Sequence, residues 1–139
     1  MRVAGLICCL LITPGALLAQ GARPLRMVAE VTRAQWQGQD AAGLVARSPQ
    51  LVIQLPGADP SAPVQRRQAT ELLRDFFARS EEVETILSDA REVSDGWGLV
   101  EFRRRYRIRG TQDIREQRLL LRYHRGGNGW LLVELRAGR

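Results

Sequence analysis

From Trp97 to Arg109 the chain alternates between apolar and charged residues, and this pattern limits what it can fold into. Val100, Phe102, Tyr106 and Ile108 share one parity, while Glu101, Arg103, Arg105, Arg107 and Arg109 share the other. Successive side chains of a strand point to opposite faces, so the segment reads as a strand with one buried and one wet face. Such a strand needs antiparallel neighbours and an apolar layer on its dry side.

The flanking sequence supplies both. A second strand is expected over about 114–125, with Leu119, Leu121 and Tyr123 facing in. Gly126-Gly127-Asn128-Gly129 is a turn, and 130–136 is a last strand with Leu131, Val133 and Leu135 on one side. Upstream, Asp95-Gly96 is a strong hairpin signal. Val83, Ile86, Leu87 and Ala90 have helical spacing, but the hairpin favours an extended reading of 83–93. Two helices stand out by period. Leu25, Val28, Ala29, Thr32 and Trp36 line one face of a helix over 25–38, and Ala69, Leu72, Leu73, Phe76 and Phe77 do the same within 64–79. Asp40 can cap a short helix reaching about Arg47, and Leu51-Val52-Ile53-Gln54-Leu55 reads as a strand ended by Pro56-Gly57. Helices followed by antiparallel strands predict an α+β domain, its N-terminal helices packed on a curved antiparallel sheet.

The first 21 residues stand apart. Arg2 precedes an apolar run from Leu6 to Ile12 that resumes at Ala16-Leu17-Leu18, and Ala19-Gln20-Gly21 offers a cleavage site. This is the pattern of a secretory signal, too short and interrupted for a comfortable membrane span. Residues 1–21 are therefore expected to be removed. The single domain 22–139 would be exported, periplasmic or secreted, with no transmembrane segment. Cys8 and Cys9 would leave with the signal, and they are the only cysteines. The mature chain would have no disulfide, no thiolate nucleophile and no cysteine-based metal site. The 21 basic residues are all arginine, which excludes lysine chemistry such as a Schiff base or a P-loop.

The order of elements resembles the nuclear transport factor 2-like superfamily, the cone fold shared with ketosteroid isomerase and the SnoaL-like cyclases. The carrying residues are Leu51-Val52-Ile53 after a helical pair, Gln68-Ala69 leading to Leu73 and Phe76-Phe77, and Gly129-Trp130-Leu131-Leu132. The likeness spans roughly residues 25–136 and is nearest to short exported bacterial members without an assigned function. It implies a pocket between the concave sheet and the first helices. It also implies homodimers, often through the sheet face. Enzymes on this fold place an acid–base carboxylate or histidine inside the cone.

The inward parities provide no such acid or histidine, so no catalytic residue and no cofactor is assigned. The candidate pocket set is Trp36, Phe102, Arg104, Tyr106 and Tyr123. Arg104 is the odd member, because a buried guanidinium requires a partner. Either it holds an anionic ligand beside Tyr106, with Trp36 as an apolar wall, or it is paired internally with an acid such as Glu30, or it snorkels out at the sheet rim. Tyr106 and Tyr123 also read as ordinary core tyrosines. His124 falls on the outward parity beside a glycine turn and reads as surface. One histidine without cysteines gives no metal site.

Charge is divided along the chain. Residues 102–139 hold eleven arginines and three acids, whereas 71–101 hold three arginines and nine acids. Arg103, Arg105, Arg107 and Arg109 line one face of one strand. This comb is expected either to meet acids of the preceding segment (Glu84, Asp89, Glu92 and Asp95) or of a second subunit, or to bind a foreign anionic surface. Nucleic acid is not the expected partner of an exported chain with so few interleaved aromatics.

Three functions follow. The first is a non-catalytic domain binding a ligand or a protein, as a homodimer. The second is an isomerase or cyclase using the cone, which requires an acid such as Glu30 or Asp40. The third is a module that binds anionic surfaces through the comb.

Overall fold

The computed structural model describes residues 23–138; the expected signal at 1–21 and both cysteines lie outside the described residues. Helix α1 (Leu25–Gln37) buries Leu25, Ala29, Thr32 and Trp36, the face its sequence period marks. The Asp40 side chain accepts the Gly43 N–H at 2.9 Å and so caps α2 (Ala41–Val45). Strand β1 (Gln50–Gln54) pairs with the two-residue β2 (Val64–Gln65). That pairing holds Val64 and Gln65 extended, so α3 (Arg66–Phe77) begins two residues later than its period suggests. Ala69, Leu73 and Phe77 are its buried line.

The remaining chain is four long strands: β3 (Ser80–Ser94), β4 (Trp97–Ile108), β5 (Ile114–Gly126) and β6 (Gly129–Gly138). The ambiguous segment 81–94 is thus strand throughout. Gly96 turns β3 into β4 with φ of 73°, a conformation open to glycine at little cost. The sheet order is β2-β1-β6-β5-β4-β3. Four of its pairings are antiparallel, but β1 and β6 run parallel, with Ile53 opposite Leu135. The sheet is therefore mixed rather than wholly antiparallel. The chain leaves β1 by way of α3 and a three-strand meander, and β6 closes beside β1 in the same direction.

The helices cover one face. Val100, Phe102 and Arg104 of β4 and Gln117, Leu119, Leu121 and Tyr123 of β5 turn toward them and are buried. The β6 expectation needs correction. A bulge between Arg122 and Tyr123 on one side, and Glu134 and Leu132 on the other, inserts Val133. Trp130 and Leu132 face the core before it, and Leu135 and Ala137 after it. Leu131, Val133 and Leu135 therefore do not share a face, because a bulge reverses parity.

Strand β3 forms one edge of the sheet. Its register shifts three times, between Glu82 and Glu84, Leu87 and Asp89, and Glu92 and Ser94. Helix α1 covers part of its free backbone: Gln37 Oε1 accepts the Thr85 N–H at 2.7 Å, and Arg33 donates to the Thr85 carbonyl at 3.4 Å. Bulges and capped polar groups are the usual means of blunting an edge against further pairing.

Candidate functional site

The inward arginine is fully buried, and its partner is Glu82. Arg104 Nη2 lies 2.7 Å from Glu82 Oε2, and Arg104 Nε donates to Glu82 Oε1 at 3.2 Å. Thr85 Oγ1 donates to the same Oε1 at 2.8 Å. Arg104 also donates to Gln117 Oε1 and to Ser80 Oγ, both at 3.2 Å. Three rings surround the guanidinium: Tyr106 at 4.2 Å, and Trp36 and Phe76 each at 5.3 Å. Such contacts favour a cation over an aromatic face. Of the three placements open to Arg104, this is the internal pair, with a different acid.

Glu30 lies elsewhere, on the exposed side of α1, 2.7 Å from Arg33 Nε. Asp40 is spent on the α2 cap. The inward acid is Glu82, directly opposite Tyr106 across β3 and β4. Its side chain is 1% exposed. Burial pushes its carboxyl above the ordinary glutamate value; the Arg104 charge and the hydrogen bonds from Thr85 and Arg104 act in the opposite sense but do not outweigh it. Burial likewise lowers Arg104, opposed first by Glu82. An inward arginine beside the run Glu81, Glu82 and Glu84 was the available sequence signal. Which of these acids turns inward depends on the bulge between Glu82 and Glu84.

Beyond this cluster the cone opens. A cleft of about 370 Å³ lies between α3, the end of β1 and the inner face of the sheet. Its apolar walls are Leu55, Pro56, Leu72, Phe76 and Ile108. Tyr106, Ser80 and Gln117 supply its polar groups, and Asp75 and Arg79 stand exposed on the α3 side. Of the candidate pocket set, only Tyr106 lines this cleft. Trp36 is buried with its ring edge-on to Phe77 at 4.9 Å. Phe102 is packed between the Leu87 and Leu119 strand positions. Arg104 sits behind Ser80 and Gln117. Tyr123 is at the other end of the core, 2.8 Å from Thr32 Oγ1, beside a smaller hollow of about 140 Å³ between α1, α2 and the sheet. Burial holds the Tyr123 phenol above its ordinary range, opposed by the Thr32 hydrogen bond.

Arg103, Arg105 and Arg107 of the comb lie on the opposite, uncovered face; Arg109 falls one residue past β4, and its guanidinium donates to the Ala78 carbonyl at 3.0 Å and the Ser80 carbonyl at 3.4 Å. Arg105 is 3.8 Å from Glu84 and 4.0 Å from Glu116, while Glu81 lies 3.6 Å from Arg107 and 3.7 Å from Arg109. Arg103 has no carboxylate within ion-pair distance among the described residues, and Arg118 stands directly opposite it. Of the other acids expected to face the comb, Asp89 pairs with Arg91 and Glu92 with Arg125. His124 is exposed and packs against Trp97 with ring centroids 4.5 Å apart and the rings tilted by 55°. The same face holds a hollow of about 250 Å³ lined by Leu99, Leu120, Arg122, Glu134 and Arg136 among others. Glu134 is nearly buried there, 3.1 Å from Arg122 and also paired with Arg136. Among the described residues no helix is long and apolar enough to cross a membrane. Among them, too, no group of three or more His, Cys, Asp and Glu could hold a metal.

No protein-family model matches this chain, and no curated protein matches its sequence. Solved structures do match its fold. A ketosteroid isomerase-like protein from Erwinia carotovora atroseptica superposes with a TM-score of 0.67 at 13% identity, over 82% of this chain and 92% of that one. A DUF4783 family protein from Bacteroides ovatus has a TM-score of 0.64 at 13% identity, over 78% and 92% of the two chains. A nuclear transport factor 2-like protein of unknown function from Shewanella oneidensis has a TM-score of 0.60 at 9% identity, over 82% and 95%. The fold is the nuclear transport factor 2-like α+β cone. At these identities the likeness establishes architecture and leaves function to the residues of the site.

Proposed function

We propose that this chain is an exported, non-catalytic binding domain that takes a small, mainly apolar ligand at the mouth of the cone and acts as a homodimer. One observation carries the reading: among the described residues the acid inside the cone, Glu82, is ion-paired with Arg104, and neither of them lines the cleft. A general base must reach the substrate proton with a free lone pair. Both oxygens of Glu82 already face Arg104, and one also accepts from Thr85. The cleft itself offers apolar walls and a few hydrogen-bonding groups, the usual make-up of a binding pocket.

The alternative is an isomerase or cyclase in the same cone. It draws on the raised carboxyl of Glu82, since perturbed acids gather at active sites, and on the name of the Erwinia neighbour. For it to hold, Arg104 would have to release Glu82 when substrate binds. Binding of an anionic surface through the comb is the weaker third reading, because three of its four arginines already have an acid within 4.0 Å.

Native mass spectrometry of residues 22–139, produced with export and purified gently, tests the proposal. The expected result is a dimer carrying a reproducible small-molecule adduct, which disappears when Ile108→Glu places a charge in the cleft wall. A protein free of adduct that nevertheless turns over a ketone or epoxide panel, and loses that turnover in Glu82→Gln, would establish the enzyme reading instead.

A further inference from the structure

We infer that the cleft selects a ligand whose polar end accepts hydrogen bonds, a ketone, ester or carboxylate oxygen on an apolar body; this rests on the cleft being a ligand site, as proposed above. An arginine side chain only donates. The Gln117 atom 3.2 Å from Arg104 Nη1 is therefore the amide oxygen, and its NH2 group is turned away from the guanidinium. Ser80 Oγ likewise gives a lone pair to Arg104 Nη2, so its hydrogen points elsewhere. Both residues line the cleft, at 7% and 5% exposure. Among the described residues nothing accepts from the Gln117 amide or the Ser80 hydroxyl.

Of the nearby acceptors, Glu82 Oε2 lies 2.7 Å from Arg104 Nη2, and the others already take hydrogen bonds within the chain. The Ser80 carbonyl takes hydrogen bonds from Gln39 at 2.8 Å and Arg109 at 3.4 Å. Glu82 is engaged by Arg104 and Thr85. Arg104 thus acts at one remove: it takes the acceptors of Ser80 and Gln117 and leaves their donors for the cleft. Tyr106, stacked on the guanidinium at 4.2 Å, adds a hydroxyl to the same lining. Donors held in a poorly solvated site gain most from a ligand acceptor and reject a group that lacks one.

Acetophenone and α-methylstyrene test this, because they share a shape and differ in a carbonyl oxygen against a methylene. Both are neutral, so the basic charge of the protein does not discriminate between them. Titration followed by ligand-observed NMR should find acetophenone bound about tenfold more tightly, the scale of one or two buried hydrogen bonds. In Gln117→Glu an oxygen still faces Arg104, but the amide donor becomes an acceptor while the Ser80 and Tyr106 hydroxyls remain, and the preference should fall by at least about threefold. Equal binding, or the tighter binding of α-methylstyrene that a purely apolar cleft would give, overturns the inference while leaving the cleft a ligand site. If neither probe binds, the cleft reading fails and the inference falls with it. The two probes on the unaltered protein decide the matter if the variant does not fold.

Discussion

Arg104 and Glu82 are the residues on which the interior depends. Removing one member of a buried ion pair leaves the other unpaired, a loss of about 3–5 kcal/mol. Arg104→Met should therefore destabilise the domain by about 3 kcal/mol at pH 7. The loss should shrink as pH falls. Burial already raises the folded pKa of Glu82 above its ordinary value, so the contribution of this carboxyl is fully present below its unfolded pKa and is lost as pH rises through the folded one. Without Arg104 the folded value moves higher still, and the penalty grows toward neutral pH. Urea unfolding at pH 4.5 and pH 7 checks this; an equal loss at both values would mean that Glu82 ionisation is not the cause. Glu82→Gln should cost a similar amount, about 3 kcal/mol, because it leaves the buried Arg104 charge unpaired and turns an amide NH2 toward one of the guanidinium donors. The parity of Arg104 was legible in the alternation of one strand. The identity of its partner was not, since Glu81, Glu82 and Glu84 differ only in how a bulge turns them.

Among the elements, the first residue of α1 packs directly on Gly98 of β4. A Cβ placed there would lie 2.6 Å from Leu25 Cδ2 and 3.1 Å from Leu25 Cδ1. Leu25 is the first residue of α1 and is 5% exposed. Gly98→Ala should cost about 1–3 kcal/mol through overpacking, and Leu25→Ala in the same chain should recover part of it. Thermal melts of the single and double variants measure the coupling; strict additivity would show that the contact does not restrain the helix. Element types were readable because both helices and β4 carry clear periods, 3.6 and 2. The ends were less so. The start of α3 is set by a two-residue strand pairing, and the β6 faces by a bulge that no local pattern marks.

At the scale of the molecule, the proposed homodimer would use the uncovered face of the sheet. Leu120 is 44% exposed next to the half-buried Leu99, and Ile86, 39% exposed, lies farther along the same face opposite Arg103. Asp89 stands opposite Glu101 and Arg103 opposite Arg118; Glu101 is paired with Arg118 at 3.2 Å and Asp89 with Arg91 at 3.1 Å, which leaves Arg103 without a carboxylate among the described residues. A two-fold axis can set Arg103 of each copy against the acids Asp89 and Glu101 of the other, as an isologous interface requires. Sedimentation velocity of residues 22–139 should find a dimer that Leu120→Arg converts to a monomer without loss of helix or strand signal. Weakening of the dimer as salt rises would point to the charged rim, and insensitivity to salt to the apolar centre. A monomer at all concentrations would remove the dimer from the proposed function.

The sequence by itself determined the types of α1, α3, β1, β4, β5 and β6, the buried line of the two long helices, the inward and outward parities of β4 and β5 and, through their order, the α+β cone. These follow from side-chain periodicity, which is a local property. The tertiary structure decided the parallel join of β1 to β6, the acid that answers Arg104, and the separation of Trp36, Phe102 and Tyr123 from the cleft that Tyr106 lines. Each of these depends on register between segments far apart in the chain. A one-residue bulge reverses which side chain faces in, and pairing energy across a whole sheet, rather than any short run of residues, selects where the bulge falls.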